Sequence, residues 1–273
     1  MLSREPAVAG MFYPDNPKTL QEQVDSFLST TNEPTLIPKA LIVPHAGYIY
    51  SGAIAASAYQ LLKPIAHRLS RVVLLGPSHH VPLSGLAAPS ATTFCTPLGD
   101  IPVDQNGIAA LLKLSLINIK DEAHQFEHSL EVQLPFLQRI MNDFQLLPLV
   151  VGNAKPDQVA EVLRCAWGGD ETLVVISSDL SHYHPYQEAQ RLDQETTAMI
   201  EQLDGRITGS QACGCNAING LLRLANNERM SIKTIDLKNS WDAITSSYTN
   251  GSSVTKNTEN RDRVVGYGAY AIY

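Results

Sequence analysis

Short apolar runs rich in β-branched residues recur along the chain, and several stop abruptly at a polar turn carrying histidine. Residues 40–43, 71–75 and 173–176 are such runs. They lead into Pro44-His45-Ala46-Gly47, Gly76-Pro77-Ser78-His79-His80 and Ser177-Ser178-Asp179-Leu180-Ser181-His182. Runs of this length and composition predict strands buried on both faces, as in a parallel sheet. A further run at 144–151 ends in Gly152-Asn153, and the stretches 231–237 and 263–273 predict two C-terminal strands. Between them the spacing turns helical. It predicts helices over 17–28, 51–62, 127–137, 156–167 and 185–203, another capped by Asp104 and running to about 114, and one after Gly214 that includes Leu224. Pro135 marks a kink or a boundary in the 127–137 segment. Residues 85–103 predict short irregular strands, and the Ser, Thr, Asn and Gly of 246–263 predict a loop.

Strands alternating with helices define an α/β protein. Its 273 residues show no internal repeat and no linker, so a single domain over 1–273 is expected. With 44% hydrophobic and 17% charged residues, the chain has ample material for a core. A net charge of -7 without a basic run argues against nucleic-acid binding, which needs clustered Lys and Arg. No apolar stretch is long enough to cross a bilayer and the N-terminus has no signal-peptide pattern, so a cytoplasmic protein is expected. Four cysteines in this length are not a disulfide framework; they are expected reduced and available as ligands.

In α/β sheets, ligands bind beyond the carboxyl ends of the strands. Three histidine-bearing turns at such ends predict one shared crevice, since imidazole both holds metals and moves protons near neutral pH. His45 stands beside the small Ala46 and Gly47, which permit close approach. His79 and His80 are adjacent and point to opposite sides, so one is expected to face a metal and the other to orient ligands or bind substrate. Asp179 and His182 fit a carboxylate-oriented general base, with His184 two residues further on. In Cys213-Gly214-Cys215 a thiol at a helix start is expected to have a lowered pKa and to be a competent ligand. A His, His and Cys set suits iron, copper or zinc better than magnesium or calcium. Glu127 and Glu131 share a face of the predicted helix that also carries His128, and are expected to offer a carboxylate to the crevice. Cys165 is expected in the core, and His67 and His124 at the surface. No Gly-x-Gly-x-x-Gly, P-loop or Gly-x-Ser-x-Gly pattern follows a strand, which leaves nucleotide binding and serine hydrolysis without support.

Taken together, the motifs resemble the Memo-like family, whose prokaryotic members are also called AmmeMemoRadiSam system protein B. The resemblance runs over nearly the whole chain. It is carried by the segment Arg4-Glu5-Pro6-Ala7-Val8-Ala9-Gly10-Met11-Phe12-Tyr13-Pro14, by Pro44-His45-Ala46-Gly47-Tyr48, by Gly-Pro-Ser-His-His at 76–80, by Glu-His-Ser-Leu-Glu at 127–131 and by Ser-Ser-Asp-Leu-Ser-His at 177–182. It implies a layered fold with a central mixed sheet flanked by helices, similar to LigB-type extradiol dioxygenases, non-haem iron enzymes in which two histidines and a carboxylate hold the metal. It further implies His45, His79 and Cys213 as metal ligands, cysteine replacing the carboxylate, while Cys215 leaves the choice between the two cysteines open. His182, oriented by Asp179, falls at the position of the catalytic base; His80, Glu127, His128 and Tyr48 would surround metal or substrate. The expected function is a redox protein using iron or copper. A binding protein that uses the pocket for a peptide, and a zinc hydrolase built on His45, His79 and Asp179, stand as alternatives. A radical-SAM companion protein is the implied partner.

Overall fold

The computed structural model describes residues 3–29, 36–247 and 261–273. Its strands are β1 (Ser3–Arg4), β2 (Ala40–Val43), β3 (Arg71–Pro77), β4 (Leu86–Ala88), β5 (Thr93–Thr96), β6 (Gly99–Pro102), β7 (Ile117–Ile119), β8 (Gln145–Val151), β9 (Thr172–Ser177), β10 (His182–His184), β11 (Ile232–Asn239) and β12 (Val264–Ile272). Its helices are α1 (Pro17–Leu28), α2 (Tyr48–Tyr59), α3 (Gln105–Lys113), α4 (Glu122–Gln125), α5 (Leu134–Ile140), α6 (Pro156–Ala166), α7 (Tyr186–Glu201), α8 (Cys215–Asn227) and α9 (Ser240–Ser247). The main sheet runs β10-β12-β2-β9-β3-β8-β4-β7, with β11 paired to β12; β1, β5 and β6 form a small second sheet.

The centre of the main sheet, β2-β9-β3-β8, is parallel throughout. Its apolar runs, Leu41 to Val43, Val72 to Leu75, Leu146 to Leu149 and Leu173 to Ile176, are buried on both faces, which is why they read as continuous hydrophobic stretches. On the flanks the sheet becomes mixed: β12 lies antiparallel to β2, and β4 antiparallel to β8. Helices flank it, with α8 against β3 and β9 and α6 on α8, while α2 lies against β2, β11 and β12. The parallel centre sends the turns after β2, β3, β8 and β9 to one edge, where the histidines gather.

Most predicted elements are present within a few residues. Asp104 caps α3 by accepting the Gly107 amide at 2.8 Å. The helix expected from 51 begins at Tyr48, because the Phe12 carbonyl accepts the Tyr48 amide and replaces a side-chain cap. The segment 127–137 is the main correction. Residues 127–130 are irregular, Glu131–Gln133 is a 3-10 turn, and the α-helix starts only at Leu134, with Pro135 in its first turn, where a missing N–H costs nothing. Glu127 and Glu131 therefore share no helical face. Two burial expectations are also reversed: Cys165 is exposed, and His124 is buried with its Nε2 at 3.0 Å from the Ala87 carbonyl. The loop expected over 246–263 falls mostly outside the described residues, and α9 reaches into its start. Among the described residues no helix is long and apolar enough to cross a membrane.

The α6–α8 contact is close. A Cβ at Gly220 of α8 would overlap the Cβ and Cγ1 of Val159 in α6. Gly220→Ala should therefore lower stability by about 1–3 kcal/mol through overpacking, despite a gain of ~1 kcal/mol in helix propensity. Urea denaturation checks it; an unchanged or raised midpoint would refute the tight contact.

Candidate metal centre

Three imidazoles meet at the carboxyl edge of the sheet. His45 follows β2, His79 follows β3, and His128 comes from the irregular turn before the 3-10 segment. One ring nitrogen from each lies within 4.8 Å of the others. His79 and His128 stack with centroids 4.5 Å apart, and His45 meets both edge-on at 5.2 and 5.4 Å. Cys213, just before α8, places its Sγ 3.3 Å from His45 Nε2.

Each donor is held from behind. The His45 backbone N–H donates to Asp179 Oδ1 at 2.7 Å, and its Nδ1 lies 2.9 Å from Ser177 Oγ. Glu127 clamps His79, accepting its backbone N–H at 2.6 Å and pairing with Nδ1 at 2.8 Å, which leaves Nε2 for a ligand. The same carboxylate lies 3.6 Å from His128 Nδ1. A carboxylate behind a ligating imidazole sets the ring's orientation and raises its basicity. Phe12 packs against the His128 ring at 4.7 Å.

Burial, reinforced by the neighbouring imidazoles, pushes the pKa of His45 and of His128 down to about 3. Both rings are thus neutral at physiological pH and keep a lone pair, as metal ligation requires. Burial alone would raise Glu127, but its hydrogen bonds from His79 and Ser129 outweigh that and hold it at about 2. Cys213 departs from expectation. Burial and the Asp179 charge push its thiol up to about 12, so the helix start does not produce a thiolate without a cation. The donor set of imidazole nitrogens and one thiol suits a transition-metal ion, whose charge would make the thiolate favourable.

The remaining predicted residues divide into those near this cluster and those turned elsewhere. His182 leads β10, and its Nδ1 is held at 2.8 Å by the Leu180 carbonyl, so the backbone and not Asp179 orients this ring. Asp179 is buried and accepts the amides of His45 and Ala46, which shape the turn after β2; burial raises its pKa against those bonds. That engagement counts against Asp179 as a zinc ligand. His80 is exposed, with its ring 6.0 Å from His128. Tyr48 is a core residue: its hydroxyl donates to the Val132 carbonyl, and it packs on Tyr13 and Phe136. His184 lies 3.6 Å from Glu188, and the Cys215 thiol points to its neighbour Asn216. Between the two cysteines, Cys213 is the one beside His45. His128 stands in the cluster itself, not merely around it. Ser177 and Gln133, buried in helix- and strand-like contexts, gave no chemical signal by residue type.

A mixed α/β layer with a histidine-lined centre at the carboxyl edge of its parallel strands defines a class of candidate metal-site proteins. The family model described as Memo-like protein matches residues 4–271, and the chain belongs to that family. It is 34% identical to a MEMO1 family protein of Saccharolobus solfataricus, over 97% of this chain and 98% of that protein. It is 39% identical to a MEMO1 family protein of Aquifex aeolicus, over 75% of this chain and 76% of its relative. A crystal structure of an uncharacterized protein from Escherichia coli K12 superposes with a TM-score of 0.48 at 15% identity, covering 74% of this chain and 94% of the other.

Proposed function

We propose that this protein is a redox metalloprotein that holds one iron or copper ion on His45 and His79, with His128 and the Cys213 thiolate completing the donor set. The observation that carries this reading is the convergence of three imidazole nitrogens within 4.8 Å, with the Cys213 sulfur 3.3 Å from one of them. When bound, such an ion supplies one-electron chemistry and a binding point for a small ligand, and a thiolate favours the lower-valent, softer ions. The protein's own part is positional. Asp179 and Ser177 fix His45, and Glu127 fixes His79. His182, its Nδ1 tied to Leu180, keeps Nε2 free to accept a proton from a substrate at the crevice.

Because the Cys213 thiol is protonated without metal, ion binding at pH 7 should release about one proton if sulfur ligates, and none if only imidazoles do. Calorimetry in buffers of different ionisation enthalpy counts that proton; Cys213→Ser should abolish the release. Metal content after anaerobic purification should collapse in His45→Ala and His79→Ala. Full metal content in both variants would overturn the proposal, and zero proton release by the wild type would remove Cys213 from the donor set.

A further inference from the structure

The His45 ring does not merely point at the site; a buried relay behind it decides which nitrogen carries the proton. Ser177 Oγ has three partners: His45 Nδ1 at 2.9 Å, Gln133 Nε2 at 2.8 Å and the Ser129 carbonyl oxygen at 2.6 Å. A hydroxyl has one proton and two lone pairs, so three partners use it fully. The Ser129 oxygen can only accept, and it therefore takes the Ser177 proton. Gln133 Nε2 can only donate, and it fills one lone pair.

The amide orientation of Gln133 is itself fixed. Its other Nε2 proton goes to the Pro44 carbonyl at 2.9 Å, and its Oε1 accepts the Tyr59 hydroxyl at 3.0 Å. Turning the amide over would set two acceptors against each other at Pro44. One lone pair of Ser177 is left, and among the described residues the group facing it is His45 Nδ1, which must then donate. If Nδ1 were instead the acceptor, Ser177 would turn its proton to the ring. The Ser129 carbonyl, buried like Ser177 and Gln133, would lose the donor that Ser177 supplies.

We infer that Gln133 and Ser177 are positioning residues that lock neutral His45 as its Nδ1–H tautomer and so present the Nε2 lone pair to Cys213 and to any ion bound there. The inference rests on the proposed role of His45 as a ligand for its functional meaning, but not for its test. Neither residue touches the crevice. Each acts through the ring, as groups behind a metal-binding imidazole do.

Long-range proton–nitrogen NMR on metal-free, histidine-labelled protein reads the tautomer directly. The wild type should show His45 with a protonated Nδ1 and an unprotonated Nε2. Ser177→Ala removes the acceptor and should move a substantial fraction of His45 to the Nε2–H form, with ferrous-ion affinity falling about 10–100-fold. Ser177→Thr, which keeps the hydroxyl, should restore the wild-type nitrogen shifts. Gln133→Met, close in volume, should give an intermediate spectrum. A wild-type His45 protonated on Nε2, or an Ser177→Ala spectrum identical to wild type, overturns the inference. The wild-type spectrum decides even if a variant fails to fold. Should the expected tautomer be found in a protein that takes up no metal, the metal reading fails while the relay stands.

Discussion

Glu131→Ala is expected to cost about 3–5 kcal/mol of folding stability, the range for removing one partner of a buried ion pair. Glu131 is fully buried, yet its two oxygens are completely engaged. They pair with Arg4 and accept the Ala7 and Val8 amides at 2.8 and 3.0 Å and the Tyr13 hydroxyl. One carboxylate thus ties down the stretch from Arg4 to Tyr13. Removal leaves the buried Arg4 charge without its counter-ion, held only by the His124 and Glu127 carbonyls, together with two amides whose partner is gone. Glu131→Gln keeps an acceptor but loses the charge, so it should fall between wild type and alanine. Equilibrium urea denaturation measures both. A loss below about 1 kcal/mol for alanine would show that the network adds little beyond its own desolvation cost.

The second large effect belongs to Glu127. Glu127→Ala should weaken ferrous or cuprous binding by about 10–100-fold although it alters none of the proposed ligand residues. The carboxylate holds His79 at both its backbone N–H and its Nδ1 and accepts the Ser129 amide at 2.9 Å, so its loss frees the ring to rotate away from His45 and His128. Glu127→Gln should lose less, because an amide oxygen still accepts the Nδ1 proton. Competition against a chelator of known affinity gives the ratio, and an alanine variant that matches wild type would exclude any orienting role for this carboxylate. Glu127 and Glu131 therefore differ in purpose although both come from one short string. One supports the centre and the other the N-terminal segment.

The parallel centre of the sheet was legible because four strands buried on both faces leave short, continuous aliphatic runs. His45 and His79 were legible for the same reason, since each directly follows such a run. The 127–137 segment was not. Its apolar spacing fits a helix, but the carboxylates of Glu127 and Glu131 are drawn to His79 and Arg4, partners 48 and 127 residues away, and those tertiary bonds override the local period. The strand β10 carried no hydrophobic alternation to announce it, and Tyr183 within it adopts a positive φ of 61°. The raised thiol pKa of Cys213 was equally hidden, because burial and the approach of Asp179 depend on the turn after β9. Ser177 and Gln133 are invisible as functional residues until their partners are known, for a buried serine or glutamine has no distinguishing pattern of its own.

The donors of the centre lie far apart along the chain: His45 and Cys213, whose side chains touch, are separated by 168 residues. To bring them together, β2, β3, β8 and β9 must find one another in an order that is not their order in sequence. Non-local parallel pairings of this kind form late and slowly. No early fragment of the nascent chain can therefore offer the complete donor set, and an ion cannot serve as the seed around which the chain organises. The histidine cluster is assembled by the sheet, so an ion held there as proposed would be taken up by the finished fold and would stabilise the native state by mass action.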